Sequence, residues 1–133
     1  MAQVRTMERR IALRAETGKT PINAARASAR QAIDPAVAAV FGVEIGDLRA
    51  RTRSSPRAAF ARQVAMYLAH VICGLSLTEI GALFQRDRTT VAHACGVVED
   101  ARDDPELDAR IAHLERAVAS LIDALGWRRG CRQ

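Results

Sequence analysis

Cysteine and lysine are scarce in this chain of 133 residues, and long apolar runs are missing. The three cysteines, Cys73, Cys95 and Cys131, lie in unlike sequence settings, so no disulfide framework is expected and a reducing compartment is indicated. The N-terminus has no apolar segment of the secretory kind, and no run approaches membrane-spanning length. These absences predict a cytoplasmic protein with no membrane partner.

Residue groups that carry catalysis or bind cofactors are also missing. Gly18–Thr20 is the only hint of a nucleotide-binding loop, and Leu13 stands where that loop needs its first glycine. His93 and Cys95 are two residues apart, which places them on nearly opposite faces of a helix, and no second CxxC or HxxxH exists to complete a metal site. No nucleophile or carboxylate pair converges in the sequence. We therefore predict no enzymatic activity, no cofactor and no metal.

Charge is distributed unevenly along the chain, which carries a net charge of +5. No acidic residue lies between Asp47 and Glu79, whereas five arginines do, and acidic residues concentrate between Glu99 and Asp108. Because Lys19 is the only lysine, an arginine bias of genomic origin explains the arginine excess, and only the positions of the arginines are informative. A basic half and an acidic half indicate one face toward phosphates and another toward solvent or a basic partner.

Residues 75–100, LSLTEIGALFQRDRTTVAHACGVVED, predict two helices joined by a tight polar turn. Ser76 and Glu79 form an S-x-x-E capping box, so the first helix begins near Ser76. The second begins near Asp87. The apolar positions recur at helical spacing on both sides of the turn: Leu77, Ile80, Leu83 and Phe84, then Val91, Ala94, Cys95 and Val98. The polar side chains Arg88, Thr89 and His93 then point away from the core, as they do in a recognition helix.

These residues resemble the C-terminal DNA-binding domain (domain IV) of the bacterial replication initiator DnaA. That family's signature runs S-L-x-E-I-G-x-x-F, a glycine-rich turn, R-D-H-T-T-V and x-H-A-C. Residues 61–69 also resemble its R-Q-x-A-M-x-L-A helix, and residues 43–53 resemble its approach to a basic loop. The resemblance covers residues 31–122 and implies an all-α helical bundle containing a helix-turn-helix, like domain IV or the Trp repressor.

Three positions depart from the family pattern. Phe84 is followed by Gln85 alone where the family has a pair of small residues, so the turn is expected to be one residue shorter. Arg88 replaces a histidine and adds a long cation able to bind guanine O6 and N7, so base preference is expected to shift. His70 replaces a lysine that contacts phosphate in the family, which weakens one backbone contact.

The rest of the chain is expected to flank this domain with helices. We divide it into a basic helical extension (residues 1–30), the DNA-binding domain (residues 31–123) and a C-terminal tail (residues 124–133). Arg26 and Arg30 are expected on an exposed face, a new helix is expected to start at Asp34–Pro35, and Ser55 and Asp104 are expected to cap later helices. The last helix shows a heptad seam at Leu107, Ile111, Leu114, Val118, Leu121 and Leu125. Packing on its own domain is the default use of this seam, with a weak homodimer through residues 107–125 as the alternative.

The resemblance implies contacts both to the phosphate backbone and to the bases of a DNA duplex. Phosphate contacts are expected from side chains of the basic loop and from backbone amides that open the first helix: Arg51, Arg53, Ser54, Ser55, Arg57, Ser76 and Leu77. Base contacts are expected from Asp87, Arg88, Thr89 and Thr90 in the major groove, with Arg62 in the minor groove. His93 is expected near a phosphate. The base-contacting candidates have structural alternatives: Asp87 as an N-cap, Arg88 in an ion pair with Asp87 or Glu99, Thr89 and Thr90 as ordinary first-turn residues, and Arg62 as a solvated arginine.

The predicted function is binding of double-stranded DNA at DnaA-box-like sites, which would place the protein on the nucleoid and modulate replication initiation or transcription there. The alternative is an adaptor that keeps the fold but binds the initiator DnaA or one of its regulators. The shortened turn, Arg88 and His70 favour the adaptor, together with the helices expected before Ile33, which lie outside the resemblance. A steep salt dependence of binding favours DNA, because phosphate contacts release counterions.

Overall fold

A computed structural model describes residues 22–50 and 55–124, and in these ranges it consists of helices without strands. They are α1 (Ile22–Phe41), α2 (Ile45–Arg49), α3 (Pro56–Val71), α4 (Leu77–Phe84), α5 (Arg88–Ala101) and α6 (Pro105–Ala124). The all-α prediction is confirmed. The predicted helix at the N-terminus, the C-terminal tail and three loop residues, Arg51, Arg53 and Ser54, lie outside the described residues. Within those residues, no helix has the length and apolar character needed to cross a membrane.

Helix α3 is the centre of the core and contacts all five other described helices. Its sequence has no wide polar face, and it is buried continuously from Val64 to Val71. A helix that is apolar on all sides is stable only when other helices surround it. Helices α4 and α5 pack on α3 and on each other, so the helix-turn-helix rests on the most buried part of the molecule.

The predicted helix ends are confirmed at several positions. The Ser55 hydroxyl accepts the Ala58 N–H at 3.1 Å at the start of α3. At the start of α4, the Ser76 hydroxyl accepts the Glu79 N–H at 3.1 Å, and the Glu79 carboxylate accepts the Ser76 N–H at 2.8 Å. Asp104 accepts the Glu106 N–H at 3.2 Å before α6. Each bond satisfies a backbone donor that has no partner inside its helix.

The expected helix start at Asp34–Pro35 is wrong, because α1 continues through Pro35. Instead of capping a new helix, the buried Asp34 carboxylate accepts from Arg30 Nε at 2.9 Å and from Arg49 Nε at 3.0 Å. Proline removes one backbone N–H from a helix, and this loss is tolerated where tertiary packing fixes both sides. The domain boundary placed after residue 30 therefore falls inside an unbroken helix.

The apolar face of α6 packs on the chain itself, mainly against α1. Its buried residues are Ile111, Leu114, Val118 and Ile122, whereas Leu121 of the predicted seam is 44% exposed. The spacing follows the 3.6-residue turn of a straight helix rather than the heptad of a supercoil. Since the middle of the seam is already buried inside the chain, the homodimer through residues 107–125 loses the surface on which it rested.

A polar cluster joins α3, α5 and α6 below the C-terminal end of α5. Arg102 donates to Asp108 Oδ1 at 2.6 Å, to Glu115 Oε2 at 3.0 Å and to the Tyr67 hydroxyl at 3.1 Å. The Tyr67 hydroxyl in turn donates to Glu99 Oε2 at 3.2 Å. Burial raises the pKa of Tyr67 to about 12, and the Glu99 carboxylate adds to the rise. The cluster fixes the end of α5 that lies away from the turn.

The single tyrosine gives a direct pH test of this cluster, because only Tyr67 contributes a tyrosinate signal. We expect its ultraviolet titration in the folded protein to be centred near pH 12 rather than near the ordinary value of 10.0. The unfolded chain loses this proton first, so it binds fewer protons between pH 10 and 12, and the free energy of unfolding falls there by about 1.4 kcal/mol per pH unit. Titration of the denatured chain is the control. A folded midpoint near pH 10 would contradict the burial of Tyr67.

Candidate nucleic-acid interface

A three-residue turn, residues 85–87, joins α4 to α5. Gln85 closes α4 in the left-handed conformation (φ 57°, ψ 51°), which costs a residue with a Cβ about 1–2 kcal/mol. The Arg86 N–H donates to the Gly81 carbonyl oxygen at 2.8 Å. A Cβ at position 81 would lie 2.6 Å from the Arg86 carbonyl oxygen, so only glycine allows the turn to fold back onto α4. The relative placement of the two helices depends on this contact.

The first residues of α5 form an exposed polar surface. Asp87 is the N-cap, but its side chain makes no capping bond, so the carboxylate is not committed to the helix. Arg88, Thr89, Thr90 and His93 are exposed. The opposite face is buried through Val91, Ala94, Cys95 and Val98, as predicted. The core therefore sets the rotation of α5 and presents its N-terminal side chains outward.

The amides that open α4 differ from the expectation at one position. The Ser76 N–H already donates to the Glu79 carboxylate, so it is not a donor for a phosphate. Leu77 is the first residue of α4, and such residues have no intrahelical acceptor for their N–H groups. Of the two predicted amide contacts of this helix, the capping box leaves Leu77, which stays a prediction.

The residues that open α3 lie beside the undescribed loop segment 51–54. Ser55 and Arg57 are exposed, and the Ser55 hydroxyl is engaged as the N-cap of α3. One and a half turns further along α3, Arg62 is half-buried, and its Nη2 donates to the Asp47 carbonyl oxygen at 2.9 Å. Burial lowers the pKa of Arg62, and the nearby positive charge of Arg86 adds to the effect. The start of α3 and the helix-turn-helix turn therefore share one positively charged side of the molecule.

The sequence and the fold both match known proteins. The family described as "Bacterial dnaA protein helix-turn-helix" matches residues 30–98, about half of the chain. The chain belongs to this family. The family's domain is a DNA-binding domain without catalytic activity, which agrees with the prediction of a non-enzymatic protein.

Curated relatives extend the DnaA resemblance beyond the matched core. The chain is 41% identical over 85 residues to "Chromosomal replication initiator protein DnaA 1" of Protochlamydia amoebophila (strain UWE25), covering 63% of this chain and 19% of that protein. It is 40% identical over 92 residues to the DnaA initiator of Chromobacterium violaceum, covering 68% and 19%. The chain thus spans about a fifth of the length of the curated relatives it matches.

A solved structure supports the fold assignment. The "crystal structure of DNA replication initiation factor" superposes with a TM-score of 0.65 at 30% sequence identity, covering 88% of this chain and 37% of that chain. The coverage of this chain exceeds the family match, so the flanking helices take part in the likeness as well.

Arg86 lies beside the exposed start of α5 and is an additional candidate for the interface that the sequence motifs did not single out. Its Nη2 donates to the Ala50 carbonyl oxygen at 3.3 Å, and its Nη1 donates to the Gln85 carbonyl oxygen at 3.2 Å. Ala50 directly precedes the basic loop segment 51–54. Arg86 also lines a shallow groove of about 660 Å³ with Gly81, Ala82, Gln85, Asp87 and Thr90. In the sequence, only its position directly before Asp87 indicated that Arg86 lies at this interface.

His70 does not lie on the surface where the family's phosphate-contacting lysine was expected. It is 2% exposed, and its Nδ1 lies 2.6 Å from the Leu75 carbonyl oxygen. A carbonyl can only accept, so Nδ1 carries the proton in this hydrogen bond. His70 therefore holds the loop between α3 and α4 from inside, and the weakened phosphate contact stays a prediction.

Arg30 is also inside rather than on the exposed face that was expected. Its guanidinium lies 4.1 Å from the centroid of the Phe84 ring, and its Nη1 is 3.5 Å from the Leu83 carbonyl oxygen. Its side chain is 14% exposed and pairs with buried Asp34. Arg30 thereby fastens the C-terminal end of α4 to α1, which supports the first helix of the helix-turn-helix.

Proposed function

We propose that this chain binds double-stranded DNA at DnaA-box-type sites, with the N-terminal residues of α5 in the major groove. One observation carries the proposal: the N-terminal residues of α5 are exposed, whereas the opposite face of this helix is buried in the core. Asp87 has no capping bond, and Arg88, Thr89 and Thr90 are exposed, so acceptor, donor and methyl groups are available for base edges. The N-terminal residues of a recognition helix are those that meet bases.

The charges around α5 favour phosphate contacts on the same side. Arg57 is exposed at the start of α3, and Arg86 lies close enough to Arg62 for its positive charge to lower the pKa of Arg62. No acidic residue occurs between Asp47 and Glu79, so the segment that contains α3 carries a net positive charge. Such a surface attracts the DNA backbone without distinguishing sequences. Within this proposal, Arg51, Arg53, Ser54 and Ser55 add contacts from the loop, Arg62 enters the minor groove, and His93 lies near a phosphate.

The regulatory part of the proposal follows from the relatives. They are named as chromosomal replication initiators, and this chain corresponds to about a fifth of their length. A chain that occupies initiator sites competes with the initiator there, so we propose that it modulates replication initiation or transcription at those sites. Competition between the chain and an initiator for one labelled duplex is the matching measurement.

The DNA-binding proposal predicts that Asp87→Ala and Thr89→Ala each weaken binding to a DnaA-box duplex about tenfold, because each removes a base-edge contact. Fluorescence anisotropy of a labelled duplex at near-physiological salt measures the change. Arg116→Gln is the control, since Arg116 is exposed on α6, outside the helix-turn-helix, and its loss is expected to leave box binding close to wild type. Wild-type affinity in both α5 variants would contradict the proposed role of α5.

The adaptor alternative keeps all but one of the features that favour it. His70 is buried and hydrogen-bonded to the Leu75 carbonyl oxygen, so its replacement of the family's lysine is no evidence about the surface that would contact DNA. The expected shortening of the turn, Arg88 and the helices before Ile33 remain. Salt separates the two hypotheses, because DNA binding through several phosphates weakens steeply as salt rises. Association with an initiator protein that persists at high salt, without DNA binding, would favour the adaptor.

A further inference from the structure

The guanidinium of Arg88 stabilises no other group within the described part of the protein. It is the first residue of α5, it is exposed, and its side chain makes no hydrogen bond or ion pair with another described residue. Val91 and Cys95, which follow at three and seven residues, are completely buried. The backbone of Arg88 is therefore held in place by the core. Its side chain extends outward from the N-terminal end of α5, the end that the proposed function places in the major groove of DNA.

The two carboxylates that could neutralise Arg88 do not do so. Asp87 is adjacent, yet no ion pair joins the two side chains, and the Asp87 carboxylate makes no capping bond. Glu99 is 6% exposed and accepts a hydrogen bond from the Tyr67 hydroxyl, three turns away from the start of α5. The Asp87 carboxylate, an acceptor, and the Arg88 guanidinium, a donor, are therefore exposed side by side. In the proposed function both face the edges of bases.

We infer that Arg88 determines base specificity and that this chain prefers a guanine opposite the start of α5. The inference rests on the proposed function and specifies the DNA that it recognises. A guanidinium matches the O6 and N7 acceptors of guanine with two parallel hydrogen bonds, whereas a cytosine or adenine amino group offers it no acceptor pair of that kind. Asp87 accepts from an amino group, so it complements Arg88 by selecting cytosine or adenine at a neighbouring position.

A phosphate contact is the competing use of Arg88, and the shape of the side chain distinguishes the two. Lysine keeps the charge but lacks the planar fork, so it can replace arginine on a phosphate and cannot reproduce the two-bond contact with guanine. Arg88→Lys therefore separates base readout from charge. Arg88→Gln removes the charge as well. Both substitutions lie at an exposed position, so neither is expected to disturb the fold.

The test measures binding to a panel of duplexes in which each base pair of a DnaA-box site is changed, one at a time, to the other three. At one position we expect the wild type to bind the duplex with guanine about tenfold more tightly than the alternatives. Both Arg88→Lys and Arg88→Gln should lose that preference. Arg88→Lys should keep the salt dependence of the wild type, and Arg88→Gln should reduce its slope by no more than about one. Arg116→Gln should leave preference and slope unchanged.

The outcomes separate this inference from the proposed function. If the wild type prefers the box over a scrambled duplex but Arg88→Lys keeps every base preference, Arg88 contacts phosphate or solvent, and the inference is overturned while the function stands. The same holds if no position favours guanine. If the wild type binds all duplexes alike, the sequence-specific function fails, and the inference fails with it.

Discussion

Replacing Arg102 with alanine is expected to lower the free energy of unfolding by about 2–4 kcal/mol, because several acceptors then lose their shared cation. Arg102 is 15% exposed and serves three acceptors at once: the carboxylates of Asp108 and Glu115 and the Tyr67 hydroxyl. Its removal leaves Glu115 and the buried Tyr67–Glu99 pair without their common cation. Chemical denaturation with global fitting measures the change.

The matched control for Arg102 is Arg110→Ala, which breaks another arginine–carboxylate pair. Arg110 and Glu106 are 3.3 Å apart with side chains that are 50% and 77% exposed. Exposed pairs of this kind contribute well under 1 kcal/mol, so the control should unfold almost like the wild type. Equal effects of the two substitutions would show that the Arg102 cluster contributes no more than an ordinary surface ion pair.

Replacing Gly81 with alanine is expected to destabilise the domain by about 1–3 kcal/mol and to weaken box binding more than its stability loss alone explains. The new Cβ would lie 2.6 Å from the Arg86 carbonyl oxygen, and that atom belongs to the backbone of the turn. Relief of this clash requires the turn to move away from α4. Because Asp87 and Arg88 follow directly, the start of α5 must move too.

Gly96→Ala, at a second glycine of the helix-turn-helix, is the control and is expected to stabilise the domain rather than destabilise it. A Cβ at position 96 meets nothing within 4 Å, and the position lies inside α5. Alanine favours a helix interior by about 0.5–1 kcal/mol over glycine, so this variant should be slightly more stable and should bind the box duplex normally. A Gly81→Ala protein that folds and binds like the wild type would contradict the close approach of the turn.

Local patterns in the sequence predicted the helix-turn-helix correctly because its signals are local. The Ser76–Glu79 capping box, the apolar stripe behind α5 and the exposure of Arg88 each depend on residues within a few turns of one another. Long-range contacts decided the features that were missed. Pro35 suggested a helix start, but Asp34 is held by Arg49, which lies beyond the end of α1, and α1 continues.

Residues with two plausible roles were assigned by contacts that sequence spacing does not contain. Arg30 and Arg86 have charges that predict exposure, yet Arg30 packs on Phe84 and Arg86 reaches the Ala50 carbonyl oxygen. His70 was compared with a surface lysine, whereas the structure buries it against the Leu75 carbonyl oxygen. In each case a partner at a distance in space sets the role, and neither periodicity nor charge reveals that partner.

The central claim is sequence-specific binding of double-stranded DNA through α5, and the ratio of two affinities tests it most directly. We would measure binding of the wild-type chain to a labelled DnaA-box duplex and to a scrambled duplex of equal length and composition, at several salt concentrations. We predict tighter binding to the box at every salt concentration, with both affinities falling as salt rises. Equal affinity for the two duplexes, or no binding to either, would contradict it.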